Sequence, residues 1–414
     1  MRSAFFPVEP TAVHLNDPVF SQRIESCRKF TIPAAVAKCR ESGRFDSFRL
    51  AWKPGMPNCP HMFWDAHVAK VLEGMALALA QNPEDKKLAA ELDGYVDLVI
   101  SAQQPDGYLN AYGTQVEPDR RWKNVFDRHE LFCAGHMMEA AVAHFRATGN
   151  RKFLDTLCRY ADYIATVFGT EPGKLHGYPG HEEIELALCK LADATGEQKY
   201  LDLAEYFIDE RGRKPNFFLE EAKRRNVPLS EADLENRQAH LPVREQKDAV
   251  GHAVRALYLY IGMADVAMRT GDETLLDACR TLFDSVTKKR MYLIGGCGST
   301  AIGEAFTVDY DLPNQTAYAE SCASMAFAQF ARRMADATGE ARYADAMEQS
   351  LYNGCLSGIS LSGDRFFYAN TLTVDDTNYD RETVTRERRP WFDCSCCPTS
   401  YCRFLPQLAG FAWS

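Results

Sequence analysis

The sequence predicts an all-α fold in which helical hairpins close into an (α/α)6 barrel, or toroid. Three observations support this prediction: a Thr-Gly turn pattern recurs along the chain, the runs on either side of it have helical periodicity, and strand-like alternation is short and local. A plain helical bundle is the alternative fold.

The recurring turns have one form, in which an apolar-periodic run ends at a glycine and a short polar turn starts the next run. Glycine takes the left-handed conformation that ends many helices, and Asn, Asp or Glu after it favours a new helix start. A turn with proline in place of glycine, QNPEDKK, has the same role at 81–87. Irregular spacing excludes a solenoid of fixed repeat length. The four glycine turns are RATGNRKFLD (146–155), DATGEQKYLD (193–202), RTGDETLLDA (269–278) and DATGEARYAD (336–345).

The flanking runs place apolar residues three or four positions apart, as an amphipathic helix requires. One such run is Leu131, Ala134, Met138, Ala141 and Phe145, and similar spacing follows in 253–264. Alternation typical of a strand is limited to DRFFYANTL at 364–372. Paired helices in one compact unit therefore favour the toroid.

We expect residues 1–414 to form a single barrel domain. The most charged stretch, 209–240, is predicted to be a surface excursion. The last residues, FLPQLAGFAWS, are apolar, so we expect that a domain which packs against them is missing.

The charge and hydropathy of the chain exclude some classes of binding partner. The formal net charge is −10, from 47 basic and 57 acidic residues, and no segment reads as a basic tract. Nucleic acid and anionic membranes are therefore poor partners. No window approaches the roughly 18 apolar residues of a membrane span, and the N-terminus lacks the apolar core of a signal peptide. We expect a cytoplasmic protein with a small, neutral or weakly polar substrate.

Fourteen cysteines are present, and four of them cluster near the C-terminus in WFDCSCCPTSYC (391–402). Glu320 and Cys322 stand two residues apart before a helical run, which places them at a helix entrance. Pro398 restricts the residue before it, so the pair Cys396 and Cys397 is predicted to lie in irregular backbone. Three thiolates and a carboxylate suit four-coordinate zinc. Reduced, buried cysteines are the alternative, and Cys394 and Cys402 are spare.

Several segments, in order, resemble glycoside hydrolase family 127: HELFCAGHMMEAAVAHFRATGNRKFLD, GYPGHEEIELAL, VGHAVRALYLY, GEAFTVDYDLPNQTAYAESCAS and CSCCP. The resemblance covers nearly the whole chain. It implies a catalytic (α/α)6 barrel followed by β-sandwich domains, and this chain stops where the barrel would end. It also implies a retaining hydrolase that releases non-reducing terminal β-L-arabinofuranose from a carbohydrate substrate.

The resemblance assigns roles residue by residue. It implies Cys396 as nucleophile and Glu304 as acid/base; a retaining glycosidase usually uses two carboxylates, and here a thiolate kept deprotonated by zinc replaces one. His136 is expected to play a supporting part. The zinc ligands fall on Glu320, Cys322, Cys396 and Cys397, and the sugar-contacting residues on His129, His181, His252 and Tyr368. For the histidines, capping of helix ends is the alternative.

Other functions stay open at this point. The same machinery could act on a different plant-derived furanoside, including acidic sugars of pectin. Sugar epimerases and unsaturated glucuronyl hydrolases share the barrel but do not need the E-x-C…C-C set. A non-catalytic, sugar-binding barrel fragment is a third alternative. The β-sandwich domains or a second copy of the chain are the expected protein partners.

Overall fold

A computed structural model describes residues 12–374 and 382–412. Within these residues the chain is helical, and isolated β-bridges take the place of strands. The predicted all-α class is therefore confirmed. No helix in the described part is both long enough and apolar enough to cross a bilayer. The helices are α1 (Phe20–Ser26), α2 (Ile32–Glu41), α3 (Trp64–Gln81), α4 (Lys86–Ser101), α5 (Ala111–Gln115), α6 (Glu130–Thr148), α7 (Lys152–Val167), α8 (Ile184–Thr195), α9 (Gln198–Glu210), α10 (Phe217–Arg225), α11 (Glu231–Glu235), α12 (Ala253–Thr270), α13 (Glu273–Ser285), α14 (Ser321–Thr338), α15 (Ala341–Gln349), α16 (Cys396–Phe404) and α17 (Leu408–Phe411).

The four predicted glycine turns all end a helix. Gly149, Gly196, Gly271 and Gly339 follow α6, α8, α12 and α14, each with a left-handed φ of 71°, 75°, 74° and 72° respectively. A residue with a side chain is strained in this conformation, which explains why glycine recurs there. In each case the next helix begins within three residues. The predicted hairpins are confirmed.

Polar residues after some turns cap the next helix. Asp85 precedes α4 and accepts a hydrogen bond from the backbone N–H of Leu88 at 3.0 Å. Asp272 precedes α13 and accepts from the N–H of Thr274 at 2.8 Å. Glu340 occupies the same position before α15 but its side chain makes no cap bond. Side-chain capping therefore acts without a glycine at the turn before α4, acts together with Gly271 at the turn before α13, and is absent at the turn before α15.

The chain divides into two compact units. Among the described residues, the N-terminal unit comprises 12–207 together with Thr399–Gly410. Within it α6 packs against α3, α7 and α8. Helices α3 and α6 are buried on nearly every face, whereas α7 buries one stripe that contains Leu157 and Ile164. The interior helices of this unit must therefore accommodate their polar side chains in the core.

They do so through a buried network of charges. Arg403 lies 3.2 Å from Glu73 and also contacts Glu139, and all three side chains are almost fully buried. Lys190 contacts Glu139 as well. Burial, and next the charge of Glu139, raise the pKa of Glu183 well above its usual range. Burial also raises the pKa of Glu73, whereas at Glu139 the charges of Arg403 and Lys190 outweigh burial and hold the pKa well below its usual range.

The C-terminal unit runs from Ile208 to Pro398. Here α12 packs against α13 and α14, and α14 packs against α15. The stretch 209–240, predicted to be a surface excursion, folds into α10 and α11 and is only partly exposed. Arg211 and Phe218 are fully buried and Glu221 of α10 is nearly so, whereas Lys223 and Arg224 near the end of that helix are exposed.

Candidate active site and metal centre

Short extended segments of the C-terminal unit position the site. Residues 318–321 lie antiparallel to 368–370, with a bridge between Glu320 and Ala369. The N–H of Ser321 donates to the carbonyl of Tyr368 at 2.9 Å, and the N–H of Asn370 donates to that of Tyr318 at 2.8 Å. This pairing brings three polar side chains, those of Tyr318, Glu320 and Tyr368, into one region.

A tight hairpin carries Glu304. The N–H of Ala305 donates to the carbonyl of Thr300 at 3.1 Å, and Ala305 also bridges to His252. Gly303 and Glu304 both have positive φ, 67° and 52°. A glutamate in the left-handed region is uncommon, and such strain is concentrated at functional sites. The turn presents the Glu304 carboxylate to His252.

Four predicted metal ligands come together beside this hairpin. Glu320 occupies the N-cap position of α14 without a capping bond from its side chain, Cys322 is in the first turn of α14, and Cys396 and Cys397 begin α16. The Sγ atoms of Cys396 and Cys397 are 3.7 Å apart, and those of Cys322 and Cys397 are 3.3 Å apart. Glu320 Oε1 lies 3.4 Å from Cys396 Sγ. All four ligand atoms lie within 4.8 Å of one another.

One expectation about this cluster is wrong. Cys396 and Cys397 were predicted in irregular backbone because of Pro398, but they begin a helix in which Pro398 is the third residue. Proline is tolerated in a first turn because the N–H groups there have no partner within the helix. The expected helix entrance at Glu320 and Cys322 is confirmed.

The cluster fits a four-coordinate metal such as zinc. Zinc–sulfur bonds of about 2.3 Å in a tetrahedron separate sulfurs by roughly 3.8 Å. The spacing of Cys396 and Cys397 matches that value, and that of Cys322 and Cys397 is somewhat shorter. Glu320 Oε2 is buried and has no hydrogen-bond partner among the described residues. A buried carboxylate surrounded by thiols is costly unless a cation compensates it.

The spare cysteines lie outside the cluster. Cys394 Sγ is 4.0 Å from the Tyr368 hydroxyl. Cys402 belongs to the N-terminal unit, where its Sγ lies 3.9 Å from the carbonyl of Thr31. All cysteines fall within the described residues, and Cys59 alone is exposed.

Glu304 accepts three hydrogen bonds. His252 Nε2 lies 2.7 Å from its Oε2, and the hydroxyls of Tyr318 and Tyr368 lie 2.8 and 3.2 Å from its Oε1. Burial alone would raise the pKa of Glu304, but these donors outweigh burial and lower the pKa to about 2. The group is therefore held as a carboxylate, the form that can accept a proton.

His252 has the capping role that was its alternative and also donates to Glu304, while its contact with sugar stays a prediction. Its Nδ1 accepts from the N–H of Val254 at 3.2 Å and so caps α12. Because Nδ1 is an acceptor, Nε2 carries the proton that is donated to Glu304. Burial, as the largest cause, lowers the pKa of His252, which favours this neutral tautomer.

Tyr318 is the functional candidate that sequence reasoning missed. It lies in the same segment as Glu320, TAYAES, and its hydroxyl makes the shorter of the two tyrosine contacts to Glu304. Its nearness to Glu320 and Cys322 in the sequence was the available signal.

The remaining predicted sugar contacts lie in the N-terminal unit. The ring centres of His129 and His181 are 5.7 Å apart, and both rings contact Phe132. His136 is fully buried, with Nδ1 3.0 Å from Glu183. These histidines form one group within their unit, and their contact with sugar stays a prediction.

Comparison with known proteins gives matches over nearly the whole chain. The family described as β-L-arabinofuranosidase, GH127 catalytic domain, matches residues 12–410. A non-reducing end β-L-arabinofuranosidase of Bifidobacterium longum is 43% identical over 365 residues, which are 85% of this chain and 55% of that protein.

Solved structures indicate the same family. A GH127 β-L-arabinofuranosidase from Geobacillus stearothermophilus T6 has a TM-score of 0.92 at 46% identity, covering 96% of this chain and 65% of that one. A second GH127 β-arabinofuranosidase has a TM-score of 0.89 at 40% identity, covering 99% and 62%. A cellobiose 2-epimerase from Spirochaeta thermophila shares the fold alone, with a TM-score of 0.51 at 14% identity, covering 84% and 85%.

Fold and site together define a glycoside hydrolase catalytic domain of the (α/α)6 barrel class. The chain belongs to glycoside hydrolase family 127. It spans little more than half the length of the curated relative and under two thirds of these two family structures.

Proposed function

We propose that this protein is a retaining glycoside hydrolase that releases non-reducing terminal β-L-arabinofuranose. Cys396 is the nucleophile, Glu304 is the acid/base, and zinc is held by Glu320, Cys322, Cys396 and Cys397. The observation that carries the proposal is the position of the Glu304 carboxylate beside the three-thiol cluster. A ligand oxygen of Glu304 and one of Glu320 lie within 4.8 Å of each other, and Glu320 is 3.4 Å from Cys396 Sγ.

The names of the relatives support the choice of sugar. The Bifidobacterium protein is named a non-reducing end β-L-arabinofuranosidase, and the Geobacillus structure is named a β-L-arabinofuranosidase. His129, His181, His252 and Tyr368 are the residues that we expect to contact the sugar.

In the first step Cys396 Sγ attacks the anomeric carbon. The bond from that carbon to the leaving oxygen breaks, and Glu304 protonates that oxygen. Because Glu304 is a carboxylate in the free site, it must first take up a proton from solvent for this step. The product of this step is a sugar linked to Cys396 through sulfur. Zinc, when bound, keeps the cysteine in the thiolate form near neutral pH.

In the second step Glu304 acts as a base. Its carboxylate takes a proton from water, the water oxygen attacks the anomeric carbon, and the bond to Cys396 breaks. The hydrogen bonds from His252, Tyr318 and Tyr368 favour this ionised form of Glu304. Two displacements at one carbon retain its configuration.

The substitution Glu304→Gln tests the assignment. An activated aryl β-L-arabinofuranoside needs no proton for the first step, so it should still load the enzyme. The second step should stall, and a sugar adduct should accumulate on the peptide that contains Cys394, Cys396 and Cys397. Mass spectrometry of the digested protein detects it. On a substrate with a poor leaving group we expect turnover to slow by about 10²–10⁴-fold.

Glu348→Gln is the matched control, since Glu348 is exposed on α15. It should turn over like the unmodified protein. Near-normal turnover of Glu304→Gln on the poor substrate would show that Glu304 is not the acid/base. An adduct on a carboxylate would refute the thiolate mechanism.

A further inference from the structure

The end of helix α11 contacts the hairpin that carries Glu304. Asn236 is the residue that follows α11, and it is half-buried. It lies in the stretch 209–240, which was predicted to be a surface excursion. Its side chain and its backbone both form hydrogen bonds with segments that lie farther along the chain in the same unit. Asn236 therefore links α11 to the part of the unit that holds the proposed acid/base.

The side-chain amide of Asn236 restrains the hairpin. Its Nδ2 donates to the carbonyl of Gly303 at 3.0 Å, and its Oδ1 accepts from Arg255 Nη1 at 2.6 Å. Because arginine can only donate, the second contact fixes which end of the amide faces Gly303. That carbonyl belongs to the peptide group between Gly303 and Glu304, both of which have positive φ. A sparsely populated backbone conformation persists only where its surroundings restrain it, and this hydrogen bond is such a restraint.

The backbone of the same residue restrains His252. The carbonyl of Asn236 accepts from the N–H of His252 at 3.3 Å. The two segments approach closely, since a Cβ added to Gly251 would lie 2.1 Å from a carbonyl oxygen at the end of α11. The fully buried Gln238 adds a further bond, from its Nε2 to the carbonyl of Val250 at 2.8 Å. The end of α11 is thus attached to the segment that carries His252.

Asn236 contacts both members of one short hydrogen bond. His252 Nε2 lies 2.7 Å from Glu304 Oε2, and Asn236 holds the backbone of the first residue and the peptide group next to the second. A catalytic group must be held close to its productive geometry, and a misplacement of about 1 Å can cost on the order of 10²-fold in rate. Loss of the Asn236 contacts should therefore affect the direction of the Glu304 carboxylate.

We propose that Asn236 is a positioning residue for proton transfer. Its amide holds the Glu304 hairpin and its carbonyl holds His252, so that the two side chains keep the hydrogen bond that directs the Glu304 carboxylate. That Glu304 transfers a proton rests on the proposed function, whereas the restraint on the pair is a property of the chain itself.

Two substitutions remove the donor to Gly303 in different ways. Asn236→Asp keeps the oxygen that Arg255 needs and replaces Nδ2 by a charged acceptor, which repels the Gly303 carbonyl. Asn236→Ala removes the donor without adding charge, so agreement between the two variants excludes an effect of the new charge. Asn353→Asp is the matched control, because Asn353 is exposed and its Nδ2 donates to the carbonyl of Gln349 at 2.9 Å, one turn earlier. Melting temperatures of all three variants should change little.

Rates on two substrates give the first readout. On methyl β-L-arabinofuranoside, which has a poor leaving group, both Asn236 variants should lower kcat/KM by about 3–10-fold, the usual effect of one lost hydrogen bond. On an activated aryl β-L-arabinofuranoside the first step needs no proton, so kcat/KM should change by less than about twofold. Asn353→Asp should behave normally on both.

The second readout does not depend on a substrate. The proton between His252 Nε2 and the Glu304 carboxylate is largely buried, so it should exchange slowly with water and give a downfield signal in the spectrum of protein with isotope-labelled histidine. The variant His252→Asn identifies this signal by its absence. We expect the signal to shift or broaden in both Asn236 variants and to stay unchanged in Asn353→Asp.

An unchanged signal in both Asn236 variants would overturn the proposal, whatever the rates. A changed signal with equal losses on the two substrates would also overturn it, because Asn236 would then support the fold and not proton transfer. A change confined to Asn236→Asp would assign the effect to the new charge and refute the positioning role. If the unmodified chain hydrolyses neither furanoside, the proposed function fails, and the signal alone decides whether Asn236 holds the pair.

Discussion

The hydroxyl of Tyr318 donates to Glu304 Oε1 at 2.8 Å and also lies 3.1 Å from the hydroxyl oxygen of Thr383. Tyr318→Phe removes this donor and keeps the ring. A hydrogen bond to a charged group contributes about 1.5–3 kcal/mol, so kcat/KM should fall roughly 10–100-fold on substrates with poor leaving groups. The loss should be smaller on activated aryl substrates, which depend less on proton transfer. Rates on both substrate types measure this difference.

Tyr292→Phe is the control, because its hydroxyl donates to the carbonyl of Pro313 at 3.0 Å, within the same unit. It should affect both substrates little. If Tyr318→Phe slows both substrate types equally, then Tyr318 supports the structure and does not position Glu304.

At the scale of single residues, the sequence predicts the carboxylate and thiol metal ligands better than it predicts the residues that surround them. The E-x-C…C-C pattern was specific enough to bring Glu320, Cys322, Cys396 and Cys397 to attention, and the structure gathers them. Tyr318 could not be assigned, since its contact with Glu304 depends on the pairing of 318–321 with 368–370. That pairing joins segments too far apart in the chain for local patterns to indicate.

Helix α3 allows a matched comparison with its neighbour α4. A Cβ added to Gly74 would lie 2.4 Å from the carbonyl oxygen of Cys402, whereas one added to the exposed Gly94 would meet nothing within 4 Å. Gly74→Ala should therefore destabilise the protein by about 1–3 kcal/mol through overpacking. Gly94→Ala should stabilise it by about 0.5–1 kcal/mol through helix propensity.

Denaturant unfolding of both variants gives the two free energies. If Gly74→Ala is as stable as the unmodified protein, the backbones at that point can separate without cost. If Gly94→Ala loses stability, intrinsic propensity does not govern α4.

Among the helices, the hairpin turns could be predicted and the start of α16 could not. A left-handed glycine is a local requirement, so Gly149, Gly196, Gly271 and Gly339 were recognisable from the sequence. Proline has two local meanings, the end of one helix or the first turn of another, and Pro398 proved to be the second.

At the scale of the whole molecule, the buried network of charges around Arg403 contributes strongly to the free energy of unfolding. Arg403→Met would leave Glu73 and Glu139 buried beside a single cation, Lys190. Removing one partner of a buried pair costs about 3–5 kcal/mol, so the melting temperature should fall markedly. Arg213→Met is the exposed control and should change stability by no more than about 1 kcal/mol. A loss that small for Arg403→Met would mean that water reaches the two carboxylates.

The proposed metal would join distant parts of the sequence, because Glu320 and Cys322 lie far along the chain from Cys396 and Cys397. We expect about one zinc per chain by elemental analysis. A ligand present at about 1,000 times its Kd stabilises the folded state by about 4 kcal/mol, so chelation should lower the melting temperature. Cys322→Ser should melt lower from the outset and respond little to the chelator, while Cys59→Ser should behave normally. Full activity without metal would disprove the zinc assignment.

The single exposed cysteine also allows chemical labelling at one position. Cys59 is on the surface, and every other thiol is at least partly covered. A maleimide dye should therefore react first at Cys59, and a tether placed there would immobilise the protein without using a predicted metal ligand. Cys396 is only partly covered, as are Cys158 and Cys394, so the dye that reacts on the peptide of Cys396 only after chelation would report release of the proposed metal. The dye on that peptide becomes an optical gauge of metal occupancy.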